Sequence, residues 1–281
     1  MTFPFESREH VPMSDQGTAR PGATANEPAI VFDSVSKTFN GHGAGEWAVN
    51  DLTFTVNRGE MVAIVGQTGC GKSTAFNLLL GLFPPTQGRV RVADHDPHEE
   101  FDWFKGQVAV VFQDDRLLPW RSAEDNAALG LEYQGVPRAE RRSIAREWLR
   151  RLGLEGRENA YPYQLSGGMR QRVGIARCFA TNPSIILCDE SFSALDELTA
   201  EKLRREFISL VAQEGKTGVF ITHSIEEALL MGHRVLVFRA PGHVAAEIVV
   251  PPDLDAASMA EYRERVRRAM AGDVANVRPV P

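Results

Sequence analysis

The chain has 281 residues, 43% hydrophobic and 24% charged, a balance that excludes a disulfide miniprotein, a disordered chain or a fibrous repeat as an account of the whole. Thirty-one basic residues against 37 acidic ones give a net charge of −6, so no global field draws DNA, RNA or anionic lipid, and any phosphate binding has to be local. The longest uncharged apolar runs, such as Met61–Val65 and Val108–Phe112, fall far short of the ~18 residues that a membrane-spanning helix needs.

Residues 1 to about 28 mix Pro, Ser, Thr, Gly and charge without a period and have no apolar core, so they are expected to form a mobile tail rather than a secretory signal. Ala29–Phe32, Leu52–Val56 and Met61–Val65 are short β-branched or aromatic runs between turn residues, a β-rich opening. A helix is predicted over Ala75–Leu82, then a turn at Pro84–Gly88 and a strand pair to about Val92. Val108–Gln113 reads as a strand, Ser122 to about Leu152 as a helical insert, and Tyr163–Thr181 as a capped helix. Strands over Ile185–Cys188, Gly218–Thr222 and Arg234–Phe238 alternate with helices over Leu198–Gln213 and Ile225–Met231, which signals a parallel sheet. Ser258–Ala271 is a short Arg-rich amphipathic helix, expected to pack on the preceding unit in preference to lipid. Cys70, Cys178 and Cys188 form no disulfide framework and suit a reducing compartment, so the protein is expected to stay in the cytosol.

Gly66-Gln67-Thr68-Gly69-Cys70-Gly71-Lys72-Ser73-Thr74 satisfies the phosphate-loop pattern GxxxxGK[ST], between an apolar strand and a helix as that pattern requires. The glycines let backbone N–H groups curl round a phosphate at the positive end of the helix. Lys72 would pair with the β- and γ-phosphates and the Ser73 hydroxyl would ligate Mg²⁺, making a nucleoside triphosphate the ligand. Ile185–Cys188 followed by Asp189 and Glu190 places two carboxylates at the carboxyl edge of the sheet, Asp189 for the Mg²⁺ shell and Glu190 as general base toward water. Ser166, Gly167 and Gly168 at a helix start form a second anion site, suited to capping a γ-phosphate.

Leu165-Ser166-Gly167-Gly168-Met169 matches the signature LSGGQ at four of five positions, and here the chain resembles the ATP-binding cassette (ABC) family from about Ile30 to Arg239. The resemblance implies an α/β fold: a P-loop NTPase core of the RecA-like kind at 29–250, with an antiparallel β subdomain and an α-helical signature subdomain at about 115–180. It further implies that two copies meet head to tail and sandwich two ATP molecules. Gln113 looks like the glutamine that senses Mg²⁺ and the lytic water. Ser193-Ala194-Leu195-Asp196 looks like the segment touching the opposite subunit. His223, 33 residues beyond Glu190, looks like the switch histidine at the γ-phosphate. Phe39 sits where the family stacks an aromatic on adenine, with Trp47 as the competing candidate.

Leu117-Leu118-Pro119-Trp120 after Gln113 looks like the nitrate, sulfonate and taurine branch of bacterial importers, and as an exposed loop it nominates Leu117, Leu118 and Trp120 for docking a membrane permease. The resemblance thus implies an ATPase peripheral to the cytoplasmic face of the inner membrane, partnered by permease subunits and indirectly by an extracytoplasmic solute-binding protein, with no nucleic acid. Two alternatives stay open, a soluble cassette ATPase uncoupled from transport and a regulatory nucleotide binder without turnover. Three departures stand out: Met169 for the signature Gln, Ser191 where Pro usually follows the catalytic Glu, and Ser224 where Asp is common.

Overall fold

Nine strands form two sheets among the residues that the computed structural model describes, 27–39, 46–192 and 196–273. The expected tail at 1–26, Ser193–Leu195 of the subunit-contact segment and the stretch 274–281 lie outside them.

The smaller sheet is antiparallel, with β1 (Pro28–Lys37) between β2 (Val49–Asn57) and β4 (Gln87–Val92). In β2 the apolar Val49, Leu52, Phe54 and Val56 are buried while most residues between them are exposed, the alternation of a one-sided strand. β1 runs five residues past its predicted end, through a register shift between Phe32 and Val35. The strand pair expected before Val92 is one strand, β4, with only an isolated bridge from Val92 to His95 beyond it.

The larger sheet has the order β5 (Val108–Val111), β6 (Ile185–Asp189), β7 (Thr217–Thr222), β3 (Met61–Gly66), β8 (Arg234–Arg239), β9 (His243–Val249). The first five are parallel, and β3 and β7 are buried at every position because the smaller sheet with α1 covers one face and helices cover the other. β9 pairs antiparallel with β8 and has no counterpart in the sequence reading, since its run of Ala and Glu lacks a clean alternation.

Arg234 fastens the two sheets together. Its guanidinium reaches Glu60 at 2.5 and 3.0 Å, Glu247 of β9 at 2.7 Å and the Thr55 carbonyl of β2 at 2.5 Å.

Helix α1 (Lys72–Leu79) begins three residues earlier than predicted. The helical insert resolves into α2 (Ala123–Ala127), α3 (Leu129–Tyr133) and α4 (Arg138–Arg151), with Gly135 at φ 76° and Pro137 separating α3 from α4. Buried Glu124 of α2 ties these pieces together by pairing with Arg142 at 2.7 Å and with Arg146. Then come α5 (Gly167–Ala180), α6 (Glu197–Gln213), α7 (Ile225–Met231) and α8 (Ala256–Ala271). α8 packs on the larger sheet through buried Val266 and Ala269 with half-buried Met259, Tyr262 and Met270, as the spacing predicts. Each such buried Val contributes on the order of 1.5–3 kcal/mol.

Candidate functional site

β3 ends at Gly66, the chain turns through Gln67–Gly71, and α1 opens on Lys72. Gly71 has φ 95°, and a Cβ there would stand 2.7 Å from the Ala48 carbonyl and 2.9 Å from Gly242 Cα, so both conformation and space require glycine. The Lys72 ammonium is buried and donates to the Gly66 carbonyl at 2.7 Å and the Gln67 carbonyl at 3.1 Å, facing into the loop. Gln67, Thr68 and Gly69 form its exposed rim, Ser73 is exposed, and Thr74 is half-buried. Cys70 is buried, which pushes its thiol up against the opposing pull of Lys72, and its amide is turned inward onto the Gln67 carbonyl at 3.2 Å.

The acidic pair closes on this loop from β6. Burial pushes the Asp189 carboxyl up, the neighbouring Glu190 adds to it, and Arg116 and Lys72 pull the other way. Glu190 leaves the strand with φ 46°, a left-handed conformation costing about 1 kcal/mol or more, held by its N–H donating to the Ile221 carbonyl of β7 at 2.9 Å. His223, just past β7, places Nδ1 3.2 Å from Glu190 Oε1 and is 64% exposed. Lys72, Asp189, Glu190 and His223 therefore converge at the carboxyl ends of β3, β6 and β7, where ligands of parallel sheets bind.

A buried network braces the histidine turn. Thr222 Oγ donates to Glu227 at 2.6 Å and accepts from the Ser224 amide at 2.9 Å, while Arg204 of α6 reaches Glu227 at 2.6 Å and Glu197 at 2.7 Å. Ser224 caps α7 by accepting from the Glu227 amide at 3.3 Å, the task an Asp would perform.

β5 stops at Val111, so Phe112 and Gln113 leave the sheet and Gln113 is exposed. The Arg116 guanidinium covers the Phe112 ring at 3.9 Å, and Asp115 accepts from Arg170 of α5 at 2.8 Å. The next turn corrects one expectation. Leu117 is 9% exposed and belongs to the core of the helical layer, so it offers no docking surface; Leu118 is half-buried, and of the three nominated residues only Trp120, 72% exposed, is fully open. Asn126, fully buried on α2, explains the shape. Its Oδ1 accepts from the Leu118 amide at 2.7 Å and its Nδ2 donates to the carbonyls of Leu118, Arg121 and Ser122 at 3.0–3.1 Å.

Ser166 is the N-cap of α5, its Oγ accepting from the Met169 amide at 3.3 Å, and Gly167 and Gly168 form the first turn. Met169 is partly buried against the helical core, which accounts for a thioether at that position. Phe39 is 63% exposed with its ring edge-on to Phe83 at 5.2 Å, and the Lys37 ammonium lies 5.4 Å and 4.9 Å from the two rings. Trp47 is half-buried, so Phe39 offers the more open ring face. Sequence reasoning missed Phe83, Asn126, Gln171, Arg204 and Glu227; none stands in a spacing that sets it apart from ordinary helix or loop residues.

The family described as ABC transporter matches residues 49–193. A taurine import ATP-binding protein of Rhizobium johnstonii is 46% identical over 215 residues, 76% of this chain and 79% of that one. An uncharacterized ABC transporter ATP-binding protein of Methanocaldococcus jannaschii is 38% identical over 253 residues, 87% of this chain and 92% of that one. Among solved structures, a dimeric ATP-binding cassette in a post-hydrolysis state with ADP and Pi is 34% identical with a TM-score of 0.68, covering 79% of this chain and 99% of that one. With the converging phosphate loop and acidic strand, these likenesses place the chain in the ABC transporter family as an ATP-binding, ATP-hydrolysing subunit.

Proposed function

We propose that the chain is the motor of a bacterial importer for a small solute of the taurine, sulfonate or nitrate type, working as a head-to-tail pair beneath a membrane permease fed by an extracytoplasmic solute-binding protein. In this reading residues 29–250 are the nucleotide-binding unit, with the signature subdomain at about 115–180, and the protein sits peripherally on the cytoplasmic face. The observation that carries the catalytic part is the convergence of Lys72, Asp189, Glu190 and His223, with His223 Nδ1 3.2 Å from the Glu190 carboxylate. Similarity to taurine import ATP-binding proteins supports the cargo class.

The phosphate loop Gly66–Thr74 cradles the triphosphate, Lys72 neutralises the β- and γ-phosphates, and Phe39 stacks on the base. Ser73, Gln113 and Asp189 supply hard oxygen donors that suit Mg²⁺, and a divalent cation would offset the burial, and secondarily the Glu190 charge, that push the Asp189 carboxyl up. Bound there, Mg²⁺ supplies charge neutralisation for the phosphates. Glu190 orients the attacking water, with Gln113 beside it. His223 holds Glu190 and the γ-phosphate side, and Ser166, Gly167 and Gly168 of the second copy close the site.

The direct test measures ATP hydrolysis against protein concentration with Lys72→Ala as control. Specific activity that rises with concentration and vanishes in the control supports the paired site; activity independent of concentration overturns it. For the cargo, cells carrying Lys72→Ala should lose uptake of taurine, an alkanesulfonate or nitrate, and unchanged uptake of all three overturns that assignment.

A further inference from the structure

Two hydrogen bonds from the signature helix reach the segments beside Gln113 and Glu190, and a third, buried bond joins those two segments to each other. Ser191, 1% exposed and next after Glu190, donates its Oγ proton to the Val111 carbonyl at 2.7 Å. Gln171 of α5, 4% exposed, donates through Nε2 to the Ser191 carbonyl at 2.6 Å and the Phe112 carbonyl at 3.3 Å. Phe112 immediately precedes Gln113. The side-chain amide has two N–H groups, and both are spent on carbonyls that the sheet no longer pairs, because β5 ends at Val111. Losing either donor leaves buried acceptors unmet, so α5 cannot shift without dragging the chain beside Gln113 and Glu190 with it.

We propose that Gln171 and Ser191 form a strap that passes the state of one nucleotide site to the other, with Gln171 as its positioning residue. The proposal rests on the paired-site reading above. In that arrangement the first turn of α5 meets the nucleotide held by the second copy, while Gln171, on the same helix, fixes the loops around the nucleotide held by its own chain. A displacement of Ser166–Gly168 by the partner's γ-phosphate is thereby delivered to Gln113 and Glu190. The Ser191 hydroxyl closes the strap by giving its proton to the Val111 carbonyl at the end of β5.

The test compares wild type with Gln171→Leu, which keeps bulk and removes both donors, and Ser191→Ala, which removes only the Val111 bond. Three quantities are read: the Hill coefficient and kcat of ATP hydrolysis, the affinity of the dilute unpaired chain for a fluorescent ATP analogue, and the thermal midpoint. Gln171→Leu should bring the Hill coefficient from about two toward about one and lower kcat about tenfold, with unpaired-chain affinity changed less than about twofold. Ser191→Ala should do the same in weaker form, about threefold in kcat. A merely structural role would lower the midpoint and the affinity together and leave the Hill coefficient in place. A folded Gln171→Leu protein that keeps wild-type cooperativity overturns the strap and leaves the paired site standing. Should that variant fail to fold, wild-type kcat and cooperativity in Ser191→Ala overturn it equally. A Hill coefficient of one in a wild type whose specific activity still rises with concentration overturns the strap and leaves the paired site standing, whereas activity independent of concentration removes both.

Discussion

The two glycine-bearing helix starts proposed above as cradles for an anion, at α1 and at α5, are built differently. At α1 a buried lysine, a glycine with φ 95°, the acid-bearing end of β6 and the histidine past β7 surround the helix start. At α5 there is an ordinary serine cap and two glycines, with Ser166 exposed. A helix N-terminus alone is worth about 0.3–1 kcal/mol to an exposed anion, far less than a buried ammonium with converging amides. In the reading proposed above, the first cradle holds a nucleotide within one chain and the second completes the site of the other copy.

Lys72→Ala tests the first cradle and carries the largest expected effect, about a thousandfold loss of kcat/KM for ATP with nucleotide binding lost as well. Ser166→Glu tests the second by turning a carboxylate toward the phosphate. Turnover should fall about a hundredfold while the dilute chain binds nucleotide within about twofold of wild type, and lost binding would erase the distinction between the cradles. Asp189→Asn sharpens the electrostatics of the first cradle. Its folded-state carboxyl is held above the ordinary value by burial, so ionisation costs stability at neutral pH and that cost disappears as pH falls through the raised value. The variant should melt at a higher temperature than wild type at neutral pH without Mg²⁺, yet lose Mg²⁺-supported hydrolysis; differential scanning calorimetry and a phosphate-release assay check both. Asn126→Ala, in the helical layer that carries the second cradle, removes four hydrogen bonds from the Leu118–Ser122 loop. It should lower stability by about 1–3 kcal/mol in urea titration, with the P-loop's nucleotide affinity unmoved. Met169→Gln should be the mildest, changing kcat less than about threefold, because Met169 contributes its backbone N–H to the cap and its side chain to the core.

Much of the first cradle could be read from the chain, because its chemistry is concentrated in contiguous runs. The GxxxxGK[ST] segment and the acid-tipped strand Ile185–Glu190 each fix a local structure by their own spacing. The parallel sheet was legible for the same reason, since its strands are continuous apolar runs between amphipathic helices. What escaped is what depends on distant partners. Gln171 acts on carbonyls 59 and 20 positions away in the chain, and the left-handed turn at Glu190 is imposed by a bond to β7 rather than by a glycine. Leu117 was misread for a related reason. A leucine beside an exposed tryptophan gives no sign that Asn126 turns the loop so that the first goes inward and the second outward.

Arg234 bears on how the molecule can move. By tying β2, the turn before β3, β8 and β9 to one guanidinium, it denies the two sheets a plane of slip, so they serve as a single chassis. The helical layer leaves that chassis through Phe112–Arg116 after β5 and returns to it through the link from α5 to β6. Across that junction α5 is held by Arg170, which donates to Asp115 at 2.8 Å, and by Arg177, which donates to the Asp115 and Arg116 carbonyls at 2.7 and 2.8 Å.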